Sequence, residues 1–300
     1  MSYHNPVMLN ECMEGLGIVP DGRYADVTFG GGGHSKAILD RLGENGFLVA
    51  FDQDEDAQAN RIEDKRFLLI RDNFSNMFQQ LSQHALLPLN GILADLGVSS
   101  HQFDVPERGF SIRFDHELDM RMDNRSGLTA RDILNSYSEQ ALVAVFSGYG
   151  EVKNSKTLAS VIVKARTQNA IHTAAQLRDI ISPLVPKAAA TQYLAQVYQA
   201  LRIEVNDELQ SLKALLEQSA NALAKGGRLV VMSYHSLEDR LVKNFITKGN
   251  FEGVSHTDIY GNVTGLQFRP VHRKSIVPAD EEVKMNPRSR SARLRVAEKI

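Results

Sequence analysis

The sequence predicts an α/β protein in which a mostly parallel sheet, covered by helices, is interrupted by a helical insertion. Three observations predict this fold. Short β-type runs alternate with helical stretches up to about residue 96, a helical pattern follows from about residue 129, and an apolar strand pattern returns at residues 229–233. The 300 residues, 43% of them hydrophobic, can fill one large core or two ordinary ones.

Four β-type runs come first, at residues 24–28, 47–51, 67–70 and 91–95. Helical patterns separate them, at about residues 35–42, 55–62 and 74–84. Right-handed crossovers place such strands side by side in a doubly wound sheet, with any ligand at their carboxyl ends. We therefore expect a Rossmann-like sheet whose functional residues follow the strands.

From about His101 the alternation stops, and a polar stretch runs to Gly127. Thr129 and Asp132 have the spacing of a capping box, and apolar residues at helical spacing continue to Leu223. Residues 225–228 (KGGR) predict the end of a long helix before the strand at 229–233. The predicted domains are 1–103 with 201–300 for the sheet and 104–200 for an all-helical insertion that recognises the substrate.

Positive charge is concentrated at one end of the chain. The 34 Lys and Arg nearly balance the 36 Asp and Glu, so a positive field over the whole surface is excluded. Residues 269–300, however, contain nine basic and four acidic residues, a net +5 that leaves −7 elsewhere. This basic tail could contact RNA, and its alternating run at 293–297 predicts an edge strand.

The cysteine count excludes several classes of protein. Cys12 is the single cysteine, which rules out an internal disulfide or a cysteine-based zinc site and fits a reducing cytoplasm. Residues 1–6 lack the features of a signal peptide, and the sequence has no apolar run of 18 residues. We expect a cytoplasmic protein with no membrane partner. No pattern predicts a metal site, because Asp115, Glu117 and Asp119 are more simply charges of a polar loop.

The most informative segment is residues 26–35 (DVTFGGGGHS), at a strand-to-helix turn. Four glycines let backbone approach a ligand, and the following helix directs free N–H groups at it. A G-x-G-x-x-G frame fails, because Ser35 or Lys36 occupies the third glycine position, and no phosphate-loop G-K-S/T follows. The segment favours a nucleotide-type site, although a merely flexible turn is the alternative.

Acidic and aromatic residues follow the other strands. Asp52 ends the second strand, where a carboxylate can accept hydrogen bonds from ribose hydroxyls. Phe74, after the third strand, could stack on a purine or belong to the core. Asp95, which closes the fourth strand, either caps it or faces the cleft. Residues 54–56 (DED) are best explained as the first turn of the next helix.

The returning strand ends in residues 232–240 (MSYHSLEDR). Ser236 or His235 could cap the following helix, and Glu238 suits its first turn. Tyr234 and His235 are expected to point into the cleft, where no structural role is evident for either.

Together these segments resemble the RsmH (MraW) family of S-adenosylmethionine-dependent methyltransferases, which act on N4 of a cytidine in small-subunit ribosomal RNA. The likeness runs in order along nearly the whole chain. It rests on residues 4–9 (HNPVML), 28–35 (TFGGGGHS), 51–54 (FDQD), 95–100 (DLGVSS), 107–111 (ERGFS), 118–122 (LDMRM), 199–206 (QALRIEVN) and 233–240 (SYHSLEDR).

The resemblance implies a class I methyltransferase sheet and S-adenosylmethionine as the cofactor. It places Gly32, Gly33 and His34 at the methionine end of the cofactor. Asp52 is placed at the ribose, Phe74 near the adenine, and Asp95 with Gln102 around the methionine amino group.

Two segments depart from the family pattern. Residues 193–199 read YLAQVYQ where an Ala-Thr-Arg-Thr-Phe-Gln stretch is frequent, which puts in doubt any substrate role of that arginine, although Arg202 remains. Gly31 stands where an arginine is common, a change that we expect to be tolerated.

The resemblance implies RNA as the substrate and the assembling small ribosomal subunit as a partner. We expect Asp95, or a neighbouring backbone carbonyl, to accept a hydrogen bond from the target amine, with Tyr234 or His235 positioning the base. The residues expected to bind phosphates are Arg202, Arg240, Arg288 and Arg290. The alternatives are a methyltransferase for another acceptor and a noncatalytic nucleotide-binding module, and a homodimer is kept open.

Overall fold

The computed structural model describes residues 6–125, 127–260 and 264–300. The chain divides into two units, residues 1–97 with 209–300 and residues 98–208. These limits lie near the predicted boundaries at 104 and 200. Among the described helices, none is both long and apolar enough to cross a membrane. His4 and Asn5, which open the first family-like segment, lie outside the described residues.

The first unit contains a seven-stranded sheet in the order β3-β2-β1-β4-β5-β7-β6. β1 to β5 pair in parallel, whereas β7 runs antiparallel to both β5 and β6. This confirms the α/β, Rossmann-like prediction, with β2 and β3 as predicted. The strands are β1 (Arg23–Asp26), β2 (Phe47–Phe51), β3 (Phe67–Ile70), β4 (Leu89–Asp95), β5 (Leu223–Ser233), β6 (Phe268–Pro270) and β7 (Arg293–Lys299).

Helices cover both faces of this sheet and bury one apolar cluster on each. One cluster includes Met13, Ile38 and Leu48, and the other Leu81, Leu215 and Phe245. The helices of this unit are α1 (Leu9–Leu16), α2 (Gly33–Leu39), α3 (Met77–Gln83), α10 (Glu208–Ala222), α11 (Ser236–Lys248) and α12 (Asp280–Met285).

The second unit is built from helices around its own apolar core, which includes Leu134, Phe146 and Leu201. The capping box of Thr129 and Asp132 at the start of α5 is confirmed. The helices are α4 (Ser100–Asp104), α5 (Ala130–Ser136), α6 (Glu139–Tyr149), α7 (Ser155–Arg166), α8 (Ala174–Ile181) and α9 (Ala190–Asn206).

The structure corrects four of the predicted elements. Residues 55–60 form a 3₁₀ helix rather than an α-helix. The long helical run breaks at Asp207, which has a left-handed φ of 48°. Residues 225–228 lie inside β5, because the helix before them already ends at Ala222. β7 is not an edge strand, since the short β6 pairs along its outer side.

Candidate functional site

Residues 30–33, which we call the glycine loop, connect β1 to the start of α2 and are tightly packed on one side. Gly32, which precedes α2, has a φ of 76° that disfavours any other residue. A Cβ on Gly33 would lie 2.3 Å from Cγ of Pro6. At Gly31, by contrast, a Cβ would meet no atom within 4 Å, so the arginine common in the family has room there.

A buried acid, Asp26, braces this loop and was not among the predicted site residues. It is 1% exposed, and burial raises the pKa of its carboxyl group. The Ser35 hydroxyl donates to Asp26 Oδ2 at 2.7 Å, and the Thr28 backbone N–H donates to Oδ1 at 3.2 Å. An acid that ends an apolar strand, seven residues before the helix turn, was the available signal. Asp26 links the strand end to the first turn of α2.

Asp52, at the end of β2, faces the glycine loop. Its Oδ2 accepts a hydrogen bond from the Gly30 N–H at 2.7 Å, and its Oδ1 accepts one from the Asp54 N–H at 2.9 Å. Burial raises the pKa of Asp52 to about 6, although both hydrogen bonds favour the carboxylate. Each carboxylate oxygen has a further lone pair, so the group can still accept from a ligand.

The ends of β2 and β3 are joined by polar side chains. Asn73 donates from Nδ2 to Gln53 Oε1 at 2.7 Å, and its Oδ1 caps the following 3₁₀ turn. Phe74 is half-buried and packs against the sheet core, so both of its predicted roles remain open. Asp54 caps the 3₁₀ helix that begins at Glu55, which confirms its assignment to a helix start.

Asp95, at the end of β4, is held by side chains. The Tyr234 hydroxyl donates to Asp95 Oδ1 at 2.8 Å, and His34 Nδ1 lies 3.9 Å from Asp95 Oδ2. The side chain is 24% exposed, and burial raises the pKa of Asp95 to about 6. The backbone N–H of Asp95 donates to Thr28 Oγ1 at 2.7 Å, which ties the end of β4 to the glycine loop.

His34 bridges this acid and the start of the chain. Its Nε2 lies 3.1 Å from the Val7 carbonyl oxygen. A carbonyl can only accept, so Nε2 carries the proton in this contact. His34 is itself buried, and its ring is therefore fixed against Asp95.

His235 is the N-cap of α11, which confirms one of the two cap residues that the sequence predicts. Its Nδ1 accepts from the Glu238 N–H at 3.4 Å, and the Glu238 carboxylate accepts from the His235 N–H at 3.3 Å, which together form the capping box of α11. Tyr234, in contrast, has its hydroxyl on Asp95. Burial, and then the charge of Asp95, raise the pKa of Tyr234 well above its usual value, so it stays a donor.

Cys12 lies on α1, in the apolar cluster that includes Met13 and Ile38. The thiol is fully buried, and burial together with surrounding acids raises its pKa well above the usual value. Cys12 is therefore held as a neutral thiol and is a poor nucleophile.

The remaining predicted residues lie in both units. In the helical unit, Gln102 is buried in the capping box of α4 with Ser99, and Arg202 makes a two-bond salt bridge to Glu208 at 2.7 and 2.9 Å. In the sheet unit, the other three predicted phosphate ligands are exposed. They are Arg240 on α11, and Arg288 and Arg290 in the 3₁₀ turn after α12.

The acids of the polar loop are held by neighbouring groups. Asp119 pairs with Arg121 at 2.8 Å, and Glu117 with Arg131 at 3.4 Å. Asp115 accepts from the Ala175 N–H at 2.9 Å. Each of the three carboxylates therefore has a partner within the described part of the chain.

Comparison with known proteins gives a consistent result over the whole chain. The model of the MraW methylase family matches residues 1–300. Ribosomal RNA small subunit methyltransferase H of Flavobacterium johnsoniae is 56% identical over 300 residues, covering 100% of this chain and 99% of that protein. The protein of the same name from Bacteroides thetaiotaomicron is 54% identical over 299 residues, covering 100% and 98%.

Among solved structures, an rRNA methylase from Streptococcus thermophilus aligns with 100% of this chain and 99% of its own, at a TM-score of 0.44 and 13% identity. The family model and the relatives agree from the first residue to the last. The chain belongs to the MraW methylase family.

Proposed function

We propose that this methyltransferase, with S-adenosylmethionine as its methyl donor, methylates N4 of a specific cytidine in small-subunit (16S) ribosomal RNA. Membership of a methylase family supports the reaction class, and the name of its relatives supports the RNA. The observation that carries the choice of atom is Asp95. It is a partly exposed carboxylate at the ligand edge, fixed by Tyr234 on one oxygen.

The residues at the ligand edge suit S-adenosylmethionine. A Cβ at Gly33 would meet Pro6, and the φ of Gly32 favours glycine, so the packing of this loop depends on both residues. The loop joins the end of β1 to the start of α2, which is why we propose that its backbone contacts the methionine end of the cofactor. Asp52 has acceptor capacity left for ribose hydroxyls. Asp95 lies next to His34, as suits a methionine ammonium group. Phe74 at the adenine and Gln102 near the amino group complete the proposed set.

The bound cofactor supplies a methyl group on a positively charged sulfur, which makes that methyl electrophilic. The protein then has to align a nitrogen with it and exclude water. The exocyclic amine of cytosine is a weak nucleophile, because its lone pair is delocalised into the ring. A carboxylate that accepts one amine hydrogen strengthens the nucleophile most as the nitrogen becomes tetrahedral.

Asp95 is the residue that we assign to this acceptor role. Tyr234 occupies Oδ1, and Oδ2 is the oxygen turned toward His34. Since one oxygen is fixed by the phenol, the carboxylate plane is set before substrate arrives. The structure favours Tyr234 over His235 as the positioning residue, because His235 already caps α11.

The state of Cys12 argues against methylation at C5 of cytosine. That reaction needs a thiolate that adds to C6 of the ring. The only thiol of the chain is buried, and burial raises its pKa. N4 is therefore the favoured atom.

The substrate base has to leave its stack to reach a methyl group held in the protein. We propose that the target cytidine is splayed out of a locally open RNA. The helical unit is the proposed substrate-recognition domain. Arg202, Arg240, Arg288 and Arg290 are proposed phosphate ligands, although Glu208 already takes two donors of Arg202. A cytoplasmic location and a homodimer also remain predictions.

Mass spectrometry of ribosomal RNA nucleosides from a deletion strain tests the proposal, because it identifies the base and the atom together. We expect the loss of one N4-methylated cytidine from small-subunit RNA and its return with the wild-type gene. Unchanged modification would contradict the proposal. Thermal shift with S-adenosylhomocysteine against NAD, and labelled methyl transfer to isolated subunits, separate it from a nucleotide-binding module and from a methyltransferase for another acceptor.

A further inference from the structure

A short segment after β6 is tied to β7 at both of its ends. The Val271 N–H donates to the Val296 carbonyl at 2.9 Å, and Ile276 and Leu294 exchange both backbone hydrogen bonds at 2.9 Å. Only Arg295 lies between these two points on β7, whereas residues 272–275 lie between them on the other segment. These four residues form a bulge with two fixed ends, which we call the basic bulge.

The basic bulge is strongly cationic. His272, Arg273 and Lys274 are all exposed. Residues 264–279 contain no Asp or Glu, and Arg269 is their only other Lys or Arg. Within the described part of the chain, neither Arg273 nor Lys274 takes part in a salt bridge, so their charges are not neutralised by the protein.

The basic bulge shares a cleft with α11. Lys243 and Thr247 of α11 line this cleft opposite His272 and Arg273. The helix is anchored on the sheet by apolar residues, with the rings of Phe245 and Phe268 6.0 Å apart. Both walls of the cleft are therefore built on fixed backbone.

An acidic neighbour of the cleft is already compensated. Asp239, in the first turn of α11, accepts two hydrogen bonds from Arg295 at 2.7 and 3.0 Å. Both side chains of this pair are largely buried. Asp239 therefore does not oppose the charge of Lys243 and Arg273.

The basic bulge lies near the end of the strand that carries Tyr234. Leu294, its anchor on β7, pairs with Met232 of β5, two residues before Tyr234. Neighbouring strands lie about 4.8 Å apart, so two strand spacings, roughly 10 Å, separate the bulge from β5. A strand of RNA whose base enters the site would pass this cleft within a few nucleotides.

We propose that the basic bulge and Lys243 bind phosphate groups of the RNA strand that carries the target cytidine. The inference rests on the proposed function for the identity of that RNA. An arginine fork and a lysine ammonium group are typical phosphate ligands, and phosphate contacts fix register without reading sequence. The cleft therefore positions the strand, and Asp95 acts on the base.

The test compares Arg273→Gln/Lys274→Gln with Lys65→Gln/Lys225→Gln. Both double variants remove two exposed charges from the sheet unit, but Lys65 precedes β3 and Lys225 lies at the start of β5, away from the strand ends that form the site. The probe is a fluorescent transcript of small-subunit RNA, and its Kd is measured between 50 and about 300 mM salt. Heat denaturation of each variant confirms that it is folded.

We expect the bulge variant to bind the transcript roughly tenfold more weakly and to lower the salt slope by about 1.4, since each single-strand phosphate contributes about 0.7. Lys243→Gln should lower the slope by about half as much. The control variant should bind like wild type. Methyl transfer at saturating transcript should persist, with the change in KM rather than in kcat.

Unchanged affinity and slope in the bulge variant would overturn the inference. Normal binding to the naked transcript with weaker binding to assembled subunits would also overturn it, because the bulge would then contact protein. The methylated atom is determined separately by nucleoside mass spectrometry on the wild type. A failure of the proposed function is therefore distinguishable from a failure of this inference.

Discussion

Asp52 ends β2 and Asp95 ends β4, and both strands pair with β1. Burial raises the pKa of each acid to about 6, but different groups contact the two carboxylates. Backbone N–H groups of Gly30 and Asp54 hold Asp52. Side chains of Tyr234 and His34 surround Asp95. The first arrangement depends on the path of the loop, and the second on the identity of two distant residues.

The different contacts of Asp52 and Asp95 indicate different roles for the two acids. A carboxylate held by backbone keeps its place under most substitutions nearby, which suits the binding of a constant part of a ligand. A carboxylate with a hydrogen bond from a phenol and an imidazole 3.9 Å away can be tuned by both groups, which suits a group whose proton affinity matters to the reaction. We therefore assign cofactor binding alone to Asp52, and to Asp95 both its place near the methionine amino group and the reaction with the target amine.

The largest expected effect comes from Asp95→Asn. The amide keeps the shape and can still accept from Tyr234, but it lacks the negative charge that draws on the amine. We expect kcat to fall by about 100-fold or more, as when a single preorganised electrostatic group is removed. Single-turnover methyl transfer to RNA at saturating cofactor measures this. The cofactor Kd of each protein is measured by calorimetry, because Asp95 is also proposed to lie near the methionine amino group. A kcat within fivefold of wild type would exclude the assigned role.

Asp52→Asn should act on cofactor binding instead. The amide oxygen can accept from only one of the two backbone N–H groups, and hydrogen bonds to a ligand are no longer charge-assisted. A hydrogen bond to a charged group contributes about 1.5–3 kcal/mol, so the Kd for S-adenosylhomocysteine should rise by about 10- to 100-fold. At saturating cofactor most of the turnover should return. If kcat fell as far as in Asp95→Asn while the Kd stayed constant, the division between the two acids would be wrong.

Tyr234→Phe should change the pH dependence of the reaction. The phenol hydrogen bond lowers the pKa of Asp95 against the effect of burial, so its loss raises that pKa above about 6. The reactive form is the carboxylate, and the rate of wild type should therefore rise with pH through about 6. In Tyr234→Phe this rise of the rate should move to higher pH. The rate should be roughly tenfold below that of wild type near pH 6.5 and close to it at pH 8.5.

Tyr24→Phe is the matched control for this prediction. The Tyr24 hydroxyl also makes one hydrogen bond, accepting from the Val19 N–H at 2.8 Å, but it lies before the first strand's carboxyl end. Its pH profile should coincide with that of wild type. An equal loss at every pH in Tyr234→Phe would show that the phenol does not act through Asp95.

The smallest expected effect is that of His235→Ala. It removes the N-cap of α11 and should cost about 1 kcal/mol of stability, or a fall in Tm of about 2–4 °C. His235→Asn keeps a capping acceptor and should restore most of the Tm. Turnover should stay within about threefold of wild type in both variants. A large loss of turnover in both would show that His235 takes part in the reaction.

Much of this arrangement could be predicted from the sequence. β2 and β3 were predicted with their correct ends, because continuous apolar runs between polar turns specify buried parallel strands. The glycine loop, Asp52 and Asp95 were also predicted as site residues, since the carboxyl ends of parallel strands meet at one edge. Their roles in binding and catalysis remain proposals.

Other features depend on long-range contacts that periodicity does not reveal. Tyr234 lies 139 residues from Asp95 in the sequence, and no local pattern predicts their hydrogen bond. The sequence predicts Ser236 or His235 as the cap of α11, and only the backbone of the folded chain decides for His235. The prediction of an edge strand at β7 is wrong because the three residues of β6 are too few to show a pattern in the sequence.

The most direct test of the account is nucleoside mass spectrometry of small-subunit RNA incubated with the protein and isotopically labelled S-adenosylmethionine. Wild type is compared with Asp95→Asn. The account predicts label in N4-methylcytidine with wild type and about 100-fold less with the variant. Label in 5-methylcytidine, or equal labelling of N4 by both proteins, would contradict it.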